Sequence, residues 1–428
     1  MKSLWQETAL PRFPRLEEDI KTDVLIIGGG IAGLLTAYFL HQSGVKYALA
    51  EKDRICRENT QNTTAKITVQ HGLVYHTILK TSGVEAAQTY LKANQSAFDE
   101  YACLCKGMAC NYEIKDNYVY AGDRKKLEKE MRALEQIGAK AEFCDFVPLP
   151  VTAAGAVRFP DQAQFDPLKF LAEIAKGLHI YEDTFVREMV GNTTVTDGGK
   201  IEAKAVVCAT HFPFINKHGS YFLKLYQERS YVIALENAPD VKGMFVDDES
   251  AGYSFRNAKG MLLLGGRGGR TGKKCGGWTD LRHFAEEHYP HATERYCWAA
   301  QDCMSLDGMP YIGQYSAQTP HFYVETGFNK WGMTSAMLSA MLIRDEILGK
   351  KNEFAPLFSP SRSILKPQLF VNGLEAVVSL LTPSKRVCPH MGCALKYNKA
   401  EHSWDCPCHG SRFSADGKVL DNPANGDL

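Results

Sequence analysis

Residues 23–33 read Asp23-Val24-Leu25-Ile26-Ile27-Gly28-Gly29-Gly30-Ile31-Ala32-Gly33, and a second apolar run ends at Glu51. The pattern predicts a strand, a glycine turn, a helix and a second strand. Gly28 permits a tight turn, Gly30 lets a pyrophosphate approach bare backbone, and Gly33 lets the helix touch the strand. Glu51 can accept hydrogen bonds from the hydroxyls of an adenosine ribose, and an acid there disfavours a 2′-phosphate. The stretch therefore predicts a dinucleotide-binding unit for NAD or FAD.

Size and charge limit the class of protein. The 428 residues suffice for two or three domains, and 49 basic residues balance 49 acidic ones. This balance disfavours nucleic acid or an anionic membrane as a partner. No apolar run approaches the roughly eighteen residues of a membrane span, and the N-terminus lacks the apolar core of a signal peptide. We therefore expect a cytoplasmic protein without a membrane span.

The chain after Glu51 carries the patterns of two different sheets. The apolar strand 205–209 suits a buried parallel sheet, whereas alternation across residues 221–300 suits an antiparallel sheet in a second lobe. The turn from Gly327 to Gly332 offers a second helix N-terminus to a polar ligand. Helices are predicted at 77–110, 123–138 and 332–348, and further strands at 117–121, 141–146 and 178–187.

The order of these features resembles that of the D-amino-acid-oxidase-like flavoproteins. The resemblance rests on the stretch 23–51, a Thr- and Asn-rich loop at 59–68, the strand 205–210 and the turn 327–333. From the residues alone, that loop is either a solvated connection or a segment facing a cofactor. The resemblance implies FAD rather than NAD, bound in an α/β Rossmann-like lobe with an interleaved α+β substrate lobe. The residues that it assigns to FAD are Gly28, Gly30, Gly33, Glu51, Thr63, Thr64, Ala65, Val186, Gly327, Gly332 and Met333.

Three residues are candidates for catalysis, although no spacing fixes their roles. Lys66 is a candidate for the face of the flavin ring. Arg256 either clamps a substrate carboxylate or pairs with an acid of residues 247–249. His71 is either a base or a hydrogen-bonded structural residue. Further candidates for lining the ring are Gln70, Tyr253 and Lys330.

A second motif lies near the C-terminus. Cys388 and His390 form C-x-H, residues 391–405 intervene, and Cys406 and His409 form C-x-x-H. Two thiolates can hold one iron of a two-iron, two-sulfur cluster while two neutral imidazoles hold the other. The rival interpretation is a structural zinc site, since Cys and His at such spacings also make tetrahedral sites.

The second motif resembles that of Rieske proteins. Gly410-Ser411-Arg412-Phe413 follows the second loop, and Asn422-Pro423-Ala424 stands where the family has a proline loop. The resemblance implies a Rieske cluster whose two histidines lie at an exposed tip. Cys393 and Cys408 remain, one in each loop, and are expected to form a disulfide. The implied ligands are Cys388, His390, Cys406 and His409.

These resemblances divide the chain into regions. Only two short strands, 369–371 and 376–381, fit before the first cluster loop, so the last region is expected to be a small, truncated all-β module. Such a module is too small to be stable alone, and we expect it to dock on the flavin lobe or depend on its cluster. The regions are the FAD-binding lobe 1–350 with substrate-lobe segments at roughly 73–150 and 212–305, the linker 351–365, and the Rieske-type domain 366–428.

Both halves together are similar to bacterial flavin oxidoreductases with an added Rieske domain. We expect an FAD-dependent dehydrogenase that takes a hydride from a small amine, amino acid or related metabolite. The cluster would then pass electrons singly to an acceptor, with an electron acceptor or donor protein as partner. The alternatives are a non-catalytic electron-transfer or redox-sensing flavoprotein, and a reductase that runs in the opposite direction.

Overall fold

The computed structural model describes residues 2–215 and 218–428. Short 3₁₀ helices occupy Leu4–Glu7 and Thr60–Asn62. The α-helices are α1 Ile31–Gln42, α2 Tyr75–Ser82, α3 Val84–Leu104, α4 Arg124–Gln136, α5 Pro167–Ile174, α6 Tyr221–Lys224, α7 Gly277–His288, α8 Gly332–Ile347, α9 Ala355–Phe358 and α10 Pro367–Leu381. The strands are β1 Ile20–Ile27, β2 Tyr47–Ala50, β3 Lys66–Ile67, β4 Glu113–Tyr120, β5 Glu142–Cys144, β6 Ala156–Gln164, β7 Ile180–Tyr181, β8 Val186–Val190, β9 Thr193–Thr196, β10 Lys200–Cys208, β11 Leu225–Glu236, β12 Met244–Asp247, β13 Tyr253–Ala258, β14 Met261–Arg270, β15 Thr293–Ser305, β16 Tyr311–Gln314, β17 Phe322–Thr326, β18 Lys396–Asn398, β19 Ser403–Asp405, β20 Arg412–Ser414 and β21 Val419–Asp421.

The first sheet holds the glycine turn. Its strand order is β16-β17-β10-β1-β2-β7, and the strands from β17 to β7 run parallel. Buried apolar side chains fill β1, β2 and β17, as expected for strands covered on both faces. Helices α1 and α8 pack against each other. The carboxyl ends of β1, β2, β10 and β17 therefore meet at one edge of the sheet, where open α/β sheets bind ligands.

The second sheet is largely antiparallel and forms the other lobe. Its order is β15-β11-β14-β13-β12-β4-β6-β3, with β5 also paired to β6. Strands from both predicted substrate-lobe segments take part, which confirms the interleaving, while β3 and β6 lie outside those two segments. The domain boundaries themselves stay predictions.

A four-stranded antiparallel sheet, β18-β19-β20-β21, ends the described chain. Each of its strands has three residues. Its core is a cluster that contains Cys388, Cys406, Leu395 and Phe413. This small all-β region agrees with the predicted fold class.

Three secondary-structure predictions are wrong. The predicted strand 178–187 is two short strands, β7 and β8, with residues 182–185 between them. The predicted helix 77–110 is two helices, because Gly83 between α2 and α3 adopts φ 89°. The predicted strands at 369–371 and 376–381 are a single helix, α10. Runs such as Leu369-Phe370-Val371 favour a strand locally, but Pro367 at the first turn and helical spacing of the polar residues favour the helix. The linker region also contains the short helix α9.

The described ranges contain no helix with both the length and the apolar character needed to cross a membrane. The cytoplasmic location stays a prediction.

The glycine turn generates a first prediction. A Cβ on Gly33 would lie 1.9 Å from the carbonyl oxygen of Gly28, so backbone must move to admit it. We expect Gly33→Ala to lower the free energy of unfolding by about 1–3 kcal/mol and to weaken dinucleotide binding. Thermal unfolding and the absorbance of the retained cofactor measure both effects.

Gly122→Ala is the matched control for this variant. A Cβ there meets no described heavy atom within 4 Å, and Gly122 has no positive φ. We expect its stability to change by less than about 0.5 kcal/mol. Equal stability of both variants would contradict the close approach of α1 and β1.

Candidate functional site

A long cleft opens at the carboxyl edge of the parallel sheet. The backbone of Gly28 and Gly30 and the start of α1 form one wall, and Gly327 and the start of α8 form another. Backbone N–H groups at a helix start favour a phosphate. The cleft is lined by the predicted FAD residues Gly28, Gly30, Glu51, Thr63, Val186, Gly327, Gly332 and Met333.

Glu51 has a second role besides lining the cleft. One carboxylate oxygen accepts from the Gly29 N–H at 2.6 Å and the other from the Asp53 N–H at 3.0 Å. Burial raises the pKa of Glu51, and these two N–H donors oppose the shift. The acid therefore fixes the shape of the glycine turn and lines the cleft, while its contact with a ribose stays a prediction.

The remaining predicted FAD residues lie behind the cleft wall. The carbonyl oxygens of Thr64 and Ala65 each accept from the Arg256 guanidinium at 2.6 Å, and neither residue lines the cleft. Gly33 acts indirectly, through its contact with Gly28. Their assignment to the cofactor stays a prediction.

The three candidate catalytic residues do not line the cleft either. Lys66 Nζ lies 3.2 Å from the Thr64 hydroxyl, and burial together with the nearby Arg256 lowers its pKa to about 7. The Arg256 guanidinium is buried and does not pair with the acids of residues 247–249 in the described chain. The catalytic roles of both residues stay predictions.

Both ring nitrogens of His71 lie within hydrogen-bond distance of a partner. One ring nitrogen lies 2.7 Å from the Tyr90 hydroxyl, and the other lies 2.8 Å from the Thr68 carbonyl oxygen. Its ring stacks on Trp331, and burial lowers the pKa of His71 to about 3. These contacts suit the structural interpretation, while a role as base stays a prediction.

The predicted cluster ligands converge on two facing loops. The thiols of Cys388 and Cys406 share a hydrogen bond, and the rings of His390 and His409 lie 5.0 Å apart between centroids. Cys393 and Cys408 form the expected disulfide between the loops. The two loops therefore bring together a thiol pair and an imidazole pair, the ligand types that a Rieske-type two-iron cluster uses.

The protonation of the histidines also suits metal binding. Burial lowers the pKa of His390 to about 4 and that of His409 to about 3, so both rings are neutral near pH 7. The buried Nδ1 of His409 has no hydrogen-bond partner in the described chain. A neutral ring with an available buried nitrogen can bind iron.

Three cysteine sulfur atoms lie close enough together to contact one metal ion, but only one of them belongs to the predicted ligand set. Cys393, Cys406 and Cys408 have sulfur atoms within 4.8 Å of one another. Two of these sulfurs belong to the disulfide, which is not a thiolate ligand. The arrangement therefore does not favour a mononuclear zinc site.

The prediction that the histidines lie at an exposed tip is wrong for His409. Its side chain is buried beneath Phe212 and Phe222, at ring-centroid distances of 6.2 and 6.4 Å. Phe212 follows β10, and Phe222 lies in α6, so the flavin lobe covers this end of the module. His390 is half-buried and also lies near Phe212, at a ring-centroid distance of 6.5 Å.

Amide side chains of the flavin lobe hold the second cluster loop. Gln227 Nε2 donates to the carbonyl oxygens of His409 and Asn422, and Gln301 Nε2 donates to that of Gly410. Arg270 donates to the carbonyls of Pro407 and Cys408. All these distances lie between 2.7 and 2.9 Å. The buried carbonyl oxygens of residues 407–410 therefore keep hydrogen-bond partners.

The proline loop forms part of the dinucleotide cleft. Asn422 Nδ2 donates to the carbonyls of Thr210 and Phe212, both at 2.6 Å. Val419, Asn422, Ala424 and Asn425 line the cleft together with the glycine turn. Sequence reasoning missed this shared wall, because Asn422 and Thr210 are 212 residues apart and no local pattern links them.

A buried ion-pair network joins the same two regions. Glu401 pairs with Arg229 of β11 and with Arg412 of β20, the latter at 2.7 Å. Arg412 also pairs with Asp405 at 3.0 Å and Asp421 at 2.9 Å. Burial alone would raise the pKa of Glu401, but Arg229 and Arg412 hold it below its usual value.

The comparisons with known proteins agree with this geometry. The profile of the family described as FAD dependent oxidoreductase matches residues 23–346, and that of the Rieske [2Fe-2S] domain matches residues 381–428. The chain belongs to the D-amino-acid-oxidase-type family of FAD-dependent oxidoreductases and carries a C-terminal Rieske domain. It is an oxidoreductase that binds FAD and a two-iron, two-sulfur cluster.

One relative covers nearly the whole chain. YhfW of Bacillus subtilis (strain 168), which is named as a Rieske 2Fe-2S iron-sulfur protein, is 30% identical over 99% of this chain and 96% of its own length. The chloroplastic cytochrome b6-f complex iron-sulfur subunit of Arabidopsis thaliana is 53% identical over 38 residues, which are 9% of this chain and 17% of that protein.

Solved structures with similar folds cover the flavin lobes. Glycine oxidase from Geobacillus kaustophilus has a TM-score of 0.66 at 21% identity, over 80% of this chain and 99% of its own. L-proline dehydrogenase from P. horikoshii has a TM-score of 0.67 at 16% identity, over 82% and 98%. L-amino acid deaminase from Proteus vulgaris has a TM-score of 0.65 at 18% identity, over 83% and 97%. At these identities the likeness shows the fold.

The ion-pair network generates a second prediction. Arg229→Met leaves the buried Glu401 with one of its two flanking arginines, and breaking a buried pair costs about 3–5 kcal/mol. We expect a lower unfolding temperature and faster proteolysis of the segment between α9 and α10. Arg295→Met is the control, because its pair with Glu236 is exposed and contributes at most about 1 kcal/mol.

The same network should respond to acid. Since the pKa of Glu401 is lowered on folding, its contribution is complete above the ordinary value of 4.5 and is lost as the pH falls through the lowered value. We expect the stability difference between the Arg229→Met variant and the parent protein to shrink in that acidic window. A difference independent of pH would contradict this assignment.

Proposed function

We propose that the protein is an FAD-dependent dehydrogenase that oxidises a small amine, amino acid or related metabolite and passes the electrons singly through the Rieske cluster to an acceptor. The observation that carries this proposal is the position of His409. This predicted cluster ligand packs on Phe212, just after β10, and the residues between them, Ala209, Thr210 and His211, line the dinucleotide cleft. Both redox sites therefore border the same few residues of one chain.

FAD and the iron-sulfur cluster have different chemical roles. When bound, FAD supplies hydride acceptance and the cluster supplies one-electron transfer. The chain contributes the buried Phe212, which excludes water between the cleft and His409. Asn422 and Gln301 fix the proline loop and second cluster loop against the cleft. These contacts support electron transfer within the chain, without diffusion of a carrier.

Two observations support the proposed substrate class. The solved structures of similar fold are named as glycine oxidase, L-proline dehydrogenase and L-amino acid deaminase, all of which are named for amino acids. Behind the cleft wall, the buried Arg256 guanidinium lies near the half-buried Lys66, and a cation there suits a carboxylate-bearing substrate. We assign Lys66 and Arg256 to substrate positioning, and we propose a protein as the final electron acceptor.

The proposal predicts substrate-driven reduction of both groups. In the anaerobic holoprotein, an amino acid or amine from a panel should bleach the flavin absorbance, and the EPR signal of a reduced Rieske cluster should follow. Cys406→Ser removes a predicted ligand and should abolish the EPR signal and the bound iron. Flavin bleaching should persist in this variant, because Cys406 lies outside the FAD cleft.

Cys105→Ser is the matched control, since this buried thiol follows α3 and lies outside the cluster loops and the FAD cleft. It should retain iron, flavin and both signals. Reduction of the flavin without reduction of the cluster would overturn the proposed electron route. Reduction only by a nicotinamide or a protein donor would instead favour the electron-transfer flavoprotein.

A further inference from the structure

Helix α10 turns its polar side toward the protein. The Asn372 side chain accepts from Arg270 at 2.8 Å, and Glu375 pairs with Lys273 at 2.8 Å. The Ser379 carbonyl accepts from the Ala394 N–H at 3.1 Å. These residues recur at helical spacing and lie on one side of the helix. The docked side of α10 is therefore its polar side.

The opposite side of α10 is apolar and exposed. Phe370, Leu374 and Leu381 are 72%, 67% and 78% exposed. Phe370 and Leu374 are four residues apart, and Leu374 and Leu381 are seven apart, so the three side chains form a single stripe along the helix. We call this stripe the apolar face of α10, and it consists of Phe370, Val371, Leu374, Val377, Val378 and Leu381.

Exposed apolar side chains are concentrated on and next to α10. Of the seventeen exposed large apolar side chains in the described chain, eight lie between Leu365 and Leu381. Single exposed apolar residues are ordinary, whereas a contiguous patch marks an interaction site. Leu380, which is exposed beside this stripe, lies about 4.0 Å from the Cβ position of Gly392 in the first cluster loop.

The charges around α10 indicate which kind of surface its apolar face can contact. Between residues 366 and 399 the chain has five basic residues and one acid, although the whole chain is neutral. The acid, Glu375, is paired with Lys273. Lys366 immediately precedes the helix, and Lys385 and Arg386 follow it closely. An apolar stripe between basic flanks is complementary to an anionic lipid surface.

We propose that the apolar face of α10 lies on the surface of an anionic lipid bilayer. The helix has fifteen residues, too few to span a bilayer, but enough to lie in the interfacial plane. Contact between two copies of this face would oppose basic segments of like charge, so a symmetric dimer is disfavoured. The flavin lobe remains in water, attached through the polar side of α10.

Vesicle binding by the holoprotein tests this inference. The protein should float with vesicles that contain roughly one third phosphatidylglycerol, and less with pure phosphatidylcholine, because surface potential attracts the basic flanks. Added salt should weaken the anionic binding. Phe370→Ser combined with Leu374→Ser should reduce binding by about tenfold or more, since both side chains enter the interface.

Phe146→Ser is the matched control. Phe146 is also highly exposed but lies in the loop after β5, so vesicle binding should not change. Lys366→Glu with Lys385→Glu should weaken binding to the anionic vesicles while leaving the flavin absorbance unchanged. Circular dichroism should show that all variants retain the fold, because each altered side chain is at least partly exposed.

Two outcomes would overturn the inference. Undiminished vesicle binding by the Phe370→Ser, Leu374→Ser variant would assign the lipid contact to another surface. Absence of binding to either vesicle, together with a dimer that this variant abolishes, would assign the face to a second copy. Neither result depends on substrate turnover, so both are distinguishable from failure of the proposed function.

Discussion

The arrangement of the whole molecule depends on the buried polar contact between the cluster loops and strands β11, β14 and β15. Four strands of three residues enclose too little apolar surface to be stable alone. The loop carbonyls at His409 and Gly410 accept from Gln227 and Gln301 instead of water. Leaving such groups buried and unpaired would cost about 1–3 kcal/mol each. The module is therefore completed by the lobe on which it docks.

This docking also determines which side of the cluster site faces inward. The side with His409 is closed by Phe212 and Phe222, whereas the side with His390 is half-buried and borders the exposed Met391. His409 lies near Phe212, and three residues just before Phe212, Ala209, Thr210 and His211, line the dinucleotide cleft. The two predicted histidine ligands therefore differ in exposure, and His390 is the more open of the two.

Local chemistry made much of the fold predictable. The glycine turn, Glu51 and the paired Cys and His spacings act over a few residues, so the βαβ unit with NAD or FAD, a metal site at the two loops and the disulfide could be predicted. The choice of FAD, and of a Rieske cluster rather than zinc, rested on the family resemblances. The shared cleft wall could not, because Asn422 meets Thr210 across 212 residues of sequence. For the same reason Arg256 showed no signal for its contacts with the carbonyls of Thr64 and Ala65. Long-range polar contacts leave no periodic pattern.

Helix α10 was mispredicted for a reason that bears on function. Pattern reasoning assumes that apolar side chains face the protein, but the surface beneath α10 offers Arg270, Lys273 and the backbone of the first cluster loop. Its polar residues therefore turn inward, and the apolar stripe gains nothing from folding. Side chains such as Phe370 and Leu374 contribute no core contact, and their exposure to water favours aggregation. An exposed apolar stripe of this kind gains stability only by contact with a surface outside the protein. The basic residues at both ends of α10 favour an anionic lipid surface for that contact.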